Sequence, residues 1–454
     1  MMSVSGSTLF AAEAAGVDAQ KPFTLHDFLD APDGLKIAGT ARLRQEALQG
    51  QFRPGFEEDD VLTSLRTMLL MEWRHGAWRI GGELYDSRSW NTDDTGPLTT
   101  GEVNTLEPVQ AFVGWESHEG FGKGSLASLQ AGRFVLNLGS RRLVAADDYR
   151  NTTNGYTGLR ADFSRPDVGS VTLYYVLPQE RLPSDLQSLR DMDVRLDDES
   201  SAQKLWGVLA AKSGLPGRLT AELGYVGFDE SDRPDRPSRD RLLSSFSGRV
   251  MRDAAPGKWD FELEYIHQSG SNSTGLAASA PRADAAAHFV HADVGRSFTG
   301  NWRARLSMEY DIATGDGTAP GNARFDTLFG MRRADLGPAG IYAALGRTNI
   351  ETVGLRLEIA PSSRFDAFAT YHALWAEDAT DSFSTTGIRD ASGASGRFAG
   401  HQIDTRLRYW LTPQQLRAEF NGTWLIKEGL TRDAPNAPPY GDTLYGSLAL
   451  TLSF

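Results

Sequence analysis

Arginines recur along this sequence at alternate positions of mixed apolar and polar runs, and carboxylates follow them in the same phase. Arg42, Arg44 and Glu46 form one such row, and Arg406 and Arg408 with Asp404 another. A guanidinium stays charged at any physiological pH and grips a carboxylate bidentately, so a wall of them is suited to recognising and passing anions. By the same phase Arg66, Arg74, Arg79, Arg133, Arg160, Arg249, Arg303, Arg305 and Arg356 share that face. So do Glu72, Glu83, Asp162, Glu222, Glu262, Glu264, Glu309, Asp311, Glu358, Asp366 and Glu419. The competing explanation is that these charges only pair across neighbouring strands and keep a wetted surface stable. For a single strand arginine, such as Arg305, pairing is the expectation. The doublet Arg141 and Arg142 sits in a loop without a fixed strand neighbour, flanked by Arg133 and Arg160, and is expected to face a ligand at a constriction.

Bond-making chemistry finds no support. There is no H-E-x-x-H, no G-x-S-x-G elbow and no phosphate loop, and His267, His372 and His401 lack a companion nucleophile. The expectation is a protein that is not an enzyme and uses no metal or cofactor. A formal net charge of -13 without a basic tail excludes a nucleic-acid partner. Much of the acidity lies in loop-like stretches such as Glu57 to Asp60 and Asp191 to Glu199.

The elements that must carry the arginines are strands. From Leu35 onward residues alternate strictly: Leu35, Ile37, Ala41 and Leu43 oppose Arg42 and Arg44, and Trp259, Leu263 and Tyr265 oppose Asp260, Glu262 and Glu264. No stretch approaches the roughly 18 consecutive apolar residues of a membrane-spanning helix. The alternating runs last about 10 to 13 residues, longer than the usual 5 or 6 of soluble sheets and suited to a tilted membrane strand. Trp302 to Ile312 is read as one of them. Short links, such as His75 to Ala77 and Pro361 to Ser363, alternate with long polar ones, such as Gly139 to Asn154 and Ala313 to Asn349. The pattern predicts an all-β, antiparallel transmembrane β-barrel of about eighteen strands, with short periplasmic turns and long extracellular loops, in the outer membrane of a Gram-negative bacterium. Gly340 to Leu345 would break the alternation and is assigned to a loop. Tags after Asp191, Thr274 or Ser384 should then be accessible from outside, and one between Pro361 and Ser363 should not.

The final strand, Thr443 to Phe454, alternates and ends on an aromatic, the form of a terminal signal read by the outer-membrane assembly machinery. Residues 1–21 read as a signal-peptide remnant or disordered N-terminus, 22–34 as a periplasmic lead-in and 35–454 as the barrel.

Several blocks resemble the alginate export outer-membrane porins: LKIAGTARLRQE at 35–46, AGRFVLNLGSRRLVAADDYRNTTNGYTGLRAD at 131–162, FDTLFGMRRADLGPAGIYAALGRTN at 325–349 and GHQIDTRLRYW at 400–410. Gly155 and Tyr156 depart from the more aromatic pair expected there. The resemblance implies a passive, monomeric channel in outer-membrane lipid for an anionic polysaccharide or oligosaccharide of the uronate kind. Its pore would be lined by Arg42, Arg44, Glu46, Arg66, Arg133, Arg141, Arg142, Arg160, Asp162, Arg356, Arg406 and Arg408. A general or neutral-sugar porin, or a surface-loop binding protein, is the alternative.

Overall fold

The computed structural model describes residues 22–92, 96, 98–233, 236–317, 323–333 and 335–454. The expected leader remnant over 1–21 lies outside them. The first half of the wall is β1 Leu35–Gln49, β2 Asp60–His75, β3 Trp78–Trp90, β4 Asn104–His118, β5 Leu126–Phe134, β6 Tyr156–Arg165 and β7 Gly169–Glu180. A two-residue strand, β8 Asp198–Glu199, pairs on the end of β7. The wall continues as β9 Gln203–Leu215, β10 Leu219–Glu230, β11 Leu242–Arg252, β12 Trp259–Ser273, β13 Arg282–Ser297 and β14 Arg305–Ala313. It ends with β15 Ile350–Ile359, β16 Phe365–Trp375, β17 Phe398–Thr412, β18 Leu416–Lys427 and β19 Thr443–Ser453.

Apart from β8, eighteen strands pair antiparallel with their chain neighbours, and β19 returns to β1 to close the barrel. Among the described residues, closure leaves the barrel wall no edge strand with unpaired backbone groups, the condition for crossing a bilayer with strands. The seam is completed by the last residue. Gly39 and Phe454 exchange backbone hydrogen bonds of 2.7 and 3.0 Å. The Phe454 ring lies where a side chain on residue 39 would project, 2.4 Å from a hypothetical Cβ, so any larger residue there would displace the ring and crowd the Met68 carbonyl at 2.9 Å.

Alternation sorts the wall into two faces. Leu43, Leu69, Met71, Leu263, Val294, Leu355, Leu448 and Leu450 are exposed on the outer face, where lipid covers them. Arg42, Arg44, Glu46, Glu264, Asp311 and Asp404 are buried on the inner one. The expected long and short links alternate as anticipated, and 340–345 stays within the long connection between β14 and β15. One strand start differs. Residues 298–304 form a turn, with Arg303 exposed at a φ of 46°, so β14 begins at Arg305 and Arg303 is not a lumen residue. Arg74 likewise lies at the rim, its side chain 53 % exposed beside Glu72 and Glu116.

The lumen is not simply water-filled. The connection 135–155 and the segments 323–333 and 335–349 fold inward and join: Phe329 donates from its backbone to Leu143 at 3.0 Å, Ala145 to Phe329 at 3.1 Å, and Met331 to Arg141 at 3.1 Å. Phe329 packs edge-on against Tyr156 and Phe228, each with ring centroids 5.8 Å away. Phe134, Leu136, Val144, Phe325, Ile341, Tyr342 and Leu345 are buried in the same cluster. Burial of each such side chain stabilises by roughly 1.5–3 kcal/mol, enough together to hold loops inside a barrel largely by side-chain packing. The connection 376–397 packs above them: Ser384 exchanges hydrogen bonds with Gly346 at 2.7 and 2.9 Å, and Phe383 and Ile388 are buried.

Candidate permeation chamber

Beneath this septum, toward the short-turn end, lies a chamber of about 570 Å³. Its roof is Ser140 to Arg142 together with Met331, Arg333 and Asp335, and its walls come from β11 to β17. Eight guanidiniums and seven carboxylates line it, with His291 between them. The chamber is therefore close to charge balance, and the distribution of pairs decides what it can hold.

Most of the arginines are fully engaged. Arg142 reaches Asp335 at 2.9 and 3.1 Å and both Glu262 and Glu264 at 2.5 Å. Burial alone would push this guanidinium down, but the three carboxylates hold it well above its usual value. Burial would likewise raise Asp335, yet Arg142 and Arg347 keep it well below the usual carboxylate range. Arg249 binds Glu222 at 3.0 Å and Glu262 at 2.7 Å. Arg305 binds Asp260 at 2.5 Å, Glu358 at 3.3 Å and Asp293. Arg333 holds Asp404 at 3.0 Å and Asn421 at 2.6 Å. Arg356 reaches Glu358 at 3.2 Å and lies 3.9 Å above the centroid of Phe368.

Three arginines are less committed. Arg141 has Asp148 at 3.9 Å, the limit of an ion pair. Arg406 shares one oxygen of Asp366, at 3.3 Å, with Arg408, and stacks 4.7 Å from the Phe368 centroid. Arg252 stacks 5.5 Å from the Phe261 centroid and has no ion pair with a carboxylate among the described residues.

The anticipated site divides into four groups. Arg141, Arg142, Arg356 and Arg406 line the chamber. Arg42, Arg44, Glu46 and Arg66 instead anchor the inward loop. Arg42 and Arg66 donate to the carbonyls of Asp148 and Arg150 at 2.6 to 3.2 Å, and Arg44 donates to that of Tyr149 at 2.6 Å while pairing with Glu46 at 2.9 Å. Arg133 ties a different connection to the wall through Glu107 at 2.6 Å, Glu199 at 2.5 Å and the Asp197 carbonyl at 3.0 Å. Arg160 and Asp162 are bound to each other at 2.7 Å on β6, and Arg408 grips Asp366 at the short-turn end of β17. Of the doublet, its flanking arginines and the late-strand pair, Arg141, Arg142 and Arg406 share the chamber, and Arg133, Arg160 and Arg408 lie outside it. The expectation that Arg142 lacks a partner fails because wall acids and a second loop supply three. Arg252, Arg333 and Phe368 were not anticipated. Phe368 was readable, since it shares its phase with Asp366 and Thr370. Arg333 gave no signal beyond its place in an inward loop.

The histidines do not gather into a site. His372 is buried in the wall 3.4 Å from Glu309, whereas His401 bonds Tyr371 at 2.8 Å on an exposed face.

A family model described as alginate export matches residues 33–426. No curated protein gives a significant match. Among solved structures, Pseudomonas aeruginosa OccK2 (OpdF), determined in complex with glucuronate, superposes with a TM-score of 0.56 at 10% identity, covering 92% of this chain and 96% of that one. P. aeruginosa OccK9 (OpdG) gives 0.57 at 12%, covering 92% and 98%. P. aeruginosa OpdK with vanillate gives 0.57 at 11%, again covering 92% and 98%. At such identity the likeness is one of fold.

Proposed function

The chain belongs to the alginate export family, and on that premise we propose that this outer-membrane channel passively conducts an anionic polysaccharide or its oligomers, of the uronate class. The carrying observation is that Arg141, Arg252 and Arg406 share one chamber without a tightly held carboxylate of their own. Each can accept a passing carboxylate without first breaking a strong pair, and guanidinium is the group best matched to that geometry. Several moderate sites also release what they bind, which transport requires. A fold neighbour solved with glucuronate supports the class of ligand, though at 10% identity it lends no residue. Phe368, a ring already faced by guanidiniums, adds a flat apolar surface beside the charges. The proposal includes a monomer, a periplasmic lead-in over 22–34, and assembly guided by β19 and Phe454.

The near balance of charge favours a second reading, a general or neutral-sugar porin. Single-channel recording in planar bilayers under a salt gradient separates the two. Uronate transport predicts anion selectivity and block by hexuronate oligomers that exceeds block by neutral oligomers of equal length. Equal block by both, with a reversal potential unmoved by Arg252→Gln and Arg406→Gln together, would leave the neutral reading standing.

A further inference from the structure

A second chamber, of about 510 Å³, lies on the long-loop side of the septum and shares no lining residue with the first. Part of its lining is loop segment Arg324 to Thr327, held by Arg241 on Asp326 at 2.7 Å and by Gln268, which exchanges hydrogen bonds of 2.9 Å with the Asp326 backbone. Four guanidiniums border it. Arg241 is taken up by Glu230 and Asp326, Arg236 reaches Glu180, and Arg324 binds Asp381. Arg239 is exposed, and its side chain has no hydrogen bond or ion pair among the described residues.

Asn272, near the long-loop end of β12, gives the second observation. It is 6 % exposed and lines the same chamber, and its Oδ1 receives no hydrogen bond among the described residues. A buried amide oxygen without a donor is uncommon, because it has lost water and gained nothing in exchange. Between these polar groups the lining is apolar, with Leu243, Ala285 and Ala287. A cation, an acceptor awaiting a hydroxyl and a small apolar floor match the carboxylate, ring hydroxyls and C–H face of one acidic sugar. The volume falls in the range of about 300–1,000 Å³ typical of small-ligand pockets.

We propose that this outer chamber is a second binding site, taking an acidic sugar unit with its carboxylate on Arg239 and a hydroxyl donating to Asn272 Oδ1. The proposal rests on the uronate reading for the class of ligand, but it concerns binding at the outer face and not conduction. The test uses the full chain in lipid nanodiscs, titrated calorimetrically with glucuronate, with a hexuronate trisaccharide and with a neutral hexose trisaccharide. Arg239→Gln and Asn272→Ala should each weaken trisaccharide binding by about tenfold, a loss in keeping with removing a charge-assisted or buried hydrogen bond. The neutral sugar should bind at least as weakly as those variants. Glucuronate alone should show the same dependence on Arg239 if a single unit fills the site. Asn272→Gln serves as a second variant if the alanine form loses its resistance to heat. Trisaccharide binding unchanged in Arg239→Gln, or abolished only by Arg406→Gln, overturns the proposal. Absence of conductance would remove the channel reading while leaving Arg239-dependent binding to be judged separately.

Discussion

A guanidinium bound by three carboxylates cannot serve a passing anion without giving up those bonds. Arg142 is in that position, so its replacement should act on stability before selectivity. Removing one partner of a buried ionic network leaves the others uncompensated, at a cost of about 3–5 kcal/mol. Arg142→Gln leaves Glu264 without an ion-pair partner among the described residues, while Glu262 keeps Arg249 and Asp335 keeps Arg347. The barrel should then unfold at a clearly lower temperature in heat-modifiability electrophoresis, as Arg305 variants should for the same reason. Arg252→Gln and Arg406→Gln lack such networks and should leave heat resistance nearly intact while shifting reversal potential toward cations. The local field governs this shift, since screening confines each charge to about 8 Å at physiological salt, and the chain's net charge of -13 is spread over the whole protein. If the two classes of variant gave the same pattern, pairing would not be what separates them. Which arginine belongs to which class was not legible in the sequence. Strand phase places Arg142's wall partners on the inner face, but Asp335 arrives from 193 residues away on another inward loop.

At the scale of elements, the inward loops are held by contacts that sequence shows only as motifs. Within the 131–162 block, the structure gives a reason for the Asp148 to Asn151 step. Its carbonyls take the guanidiniums of Arg42, Arg44 and Arg66, and the Asn151 amide donates to Leu65, Arg88 and Glu102 carbonyls at 2.8 to 3.4 Å. Gly330 is a close approach between the two loops. A Cβ there would stand 1.9 Å from the Arg142 carbonyl oxygen, so Gly330→Ala should part the septum, raising single-channel conductance and lowering heat resistance. An unchanged conductance would mean that the loops do not obstruct the path. The connection 181–202 carries a pH dependence. Burial, and then the nearby Glu107 carboxylate, push Asp197 up to about 7, and it accepts from Asn104 at 2.7 Å and the Leu182 backbone at 3.0 Å. The docked loop therefore holds a proton that the released loop gives up near pH 4. Docking is strongest below about pH 4, weakens as pH rises toward 7, and is flat beyond. Proteolysis within Leu186–Asp191 should be slower at pH 5 than at pH 8, and Asp197→Asn should remove the difference. No difference in the native chain would place the titration elsewhere.

For the whole molecule, strand number, closure and the alternation of long and short connections were legible because a barrel wall is one layer thick, so each residue faces either lipid or lumen and a period of two is enough. What fills the lumen was not, because buried loops carry no such period. Ser384 shows the limit. The strand pattern places it in an external loop, and it is external in topology, yet it is buried and bonded to Gly346. A tag there should disrupt packing, whereas one after Asp191, Thr274 or Gly396, all exposed, should be reached by antibody on intact cells, and one between Pro361 and Ser363 should not. The same filling sets the expected electrical behaviour. An eighteen-stranded wall encloses room for an aqueous channel, but here two chambers of about 570 and 510 Å³ stand on either side of paired loops packed by Tyr156, Phe228, Phe325 and Phe329. Apolar packing of this kind admits neither water nor ions until it parts. Conductance should therefore be far below that of an open barrel of this size, with brief larger openings, and removal of the loop tip Phe325–Arg333 should make the large state dominant without abolishing the barrel. A steady large conductance in the native chain would show that ions bypass the septum, and the arginines beside that bypass would then be the ones to set selectivity.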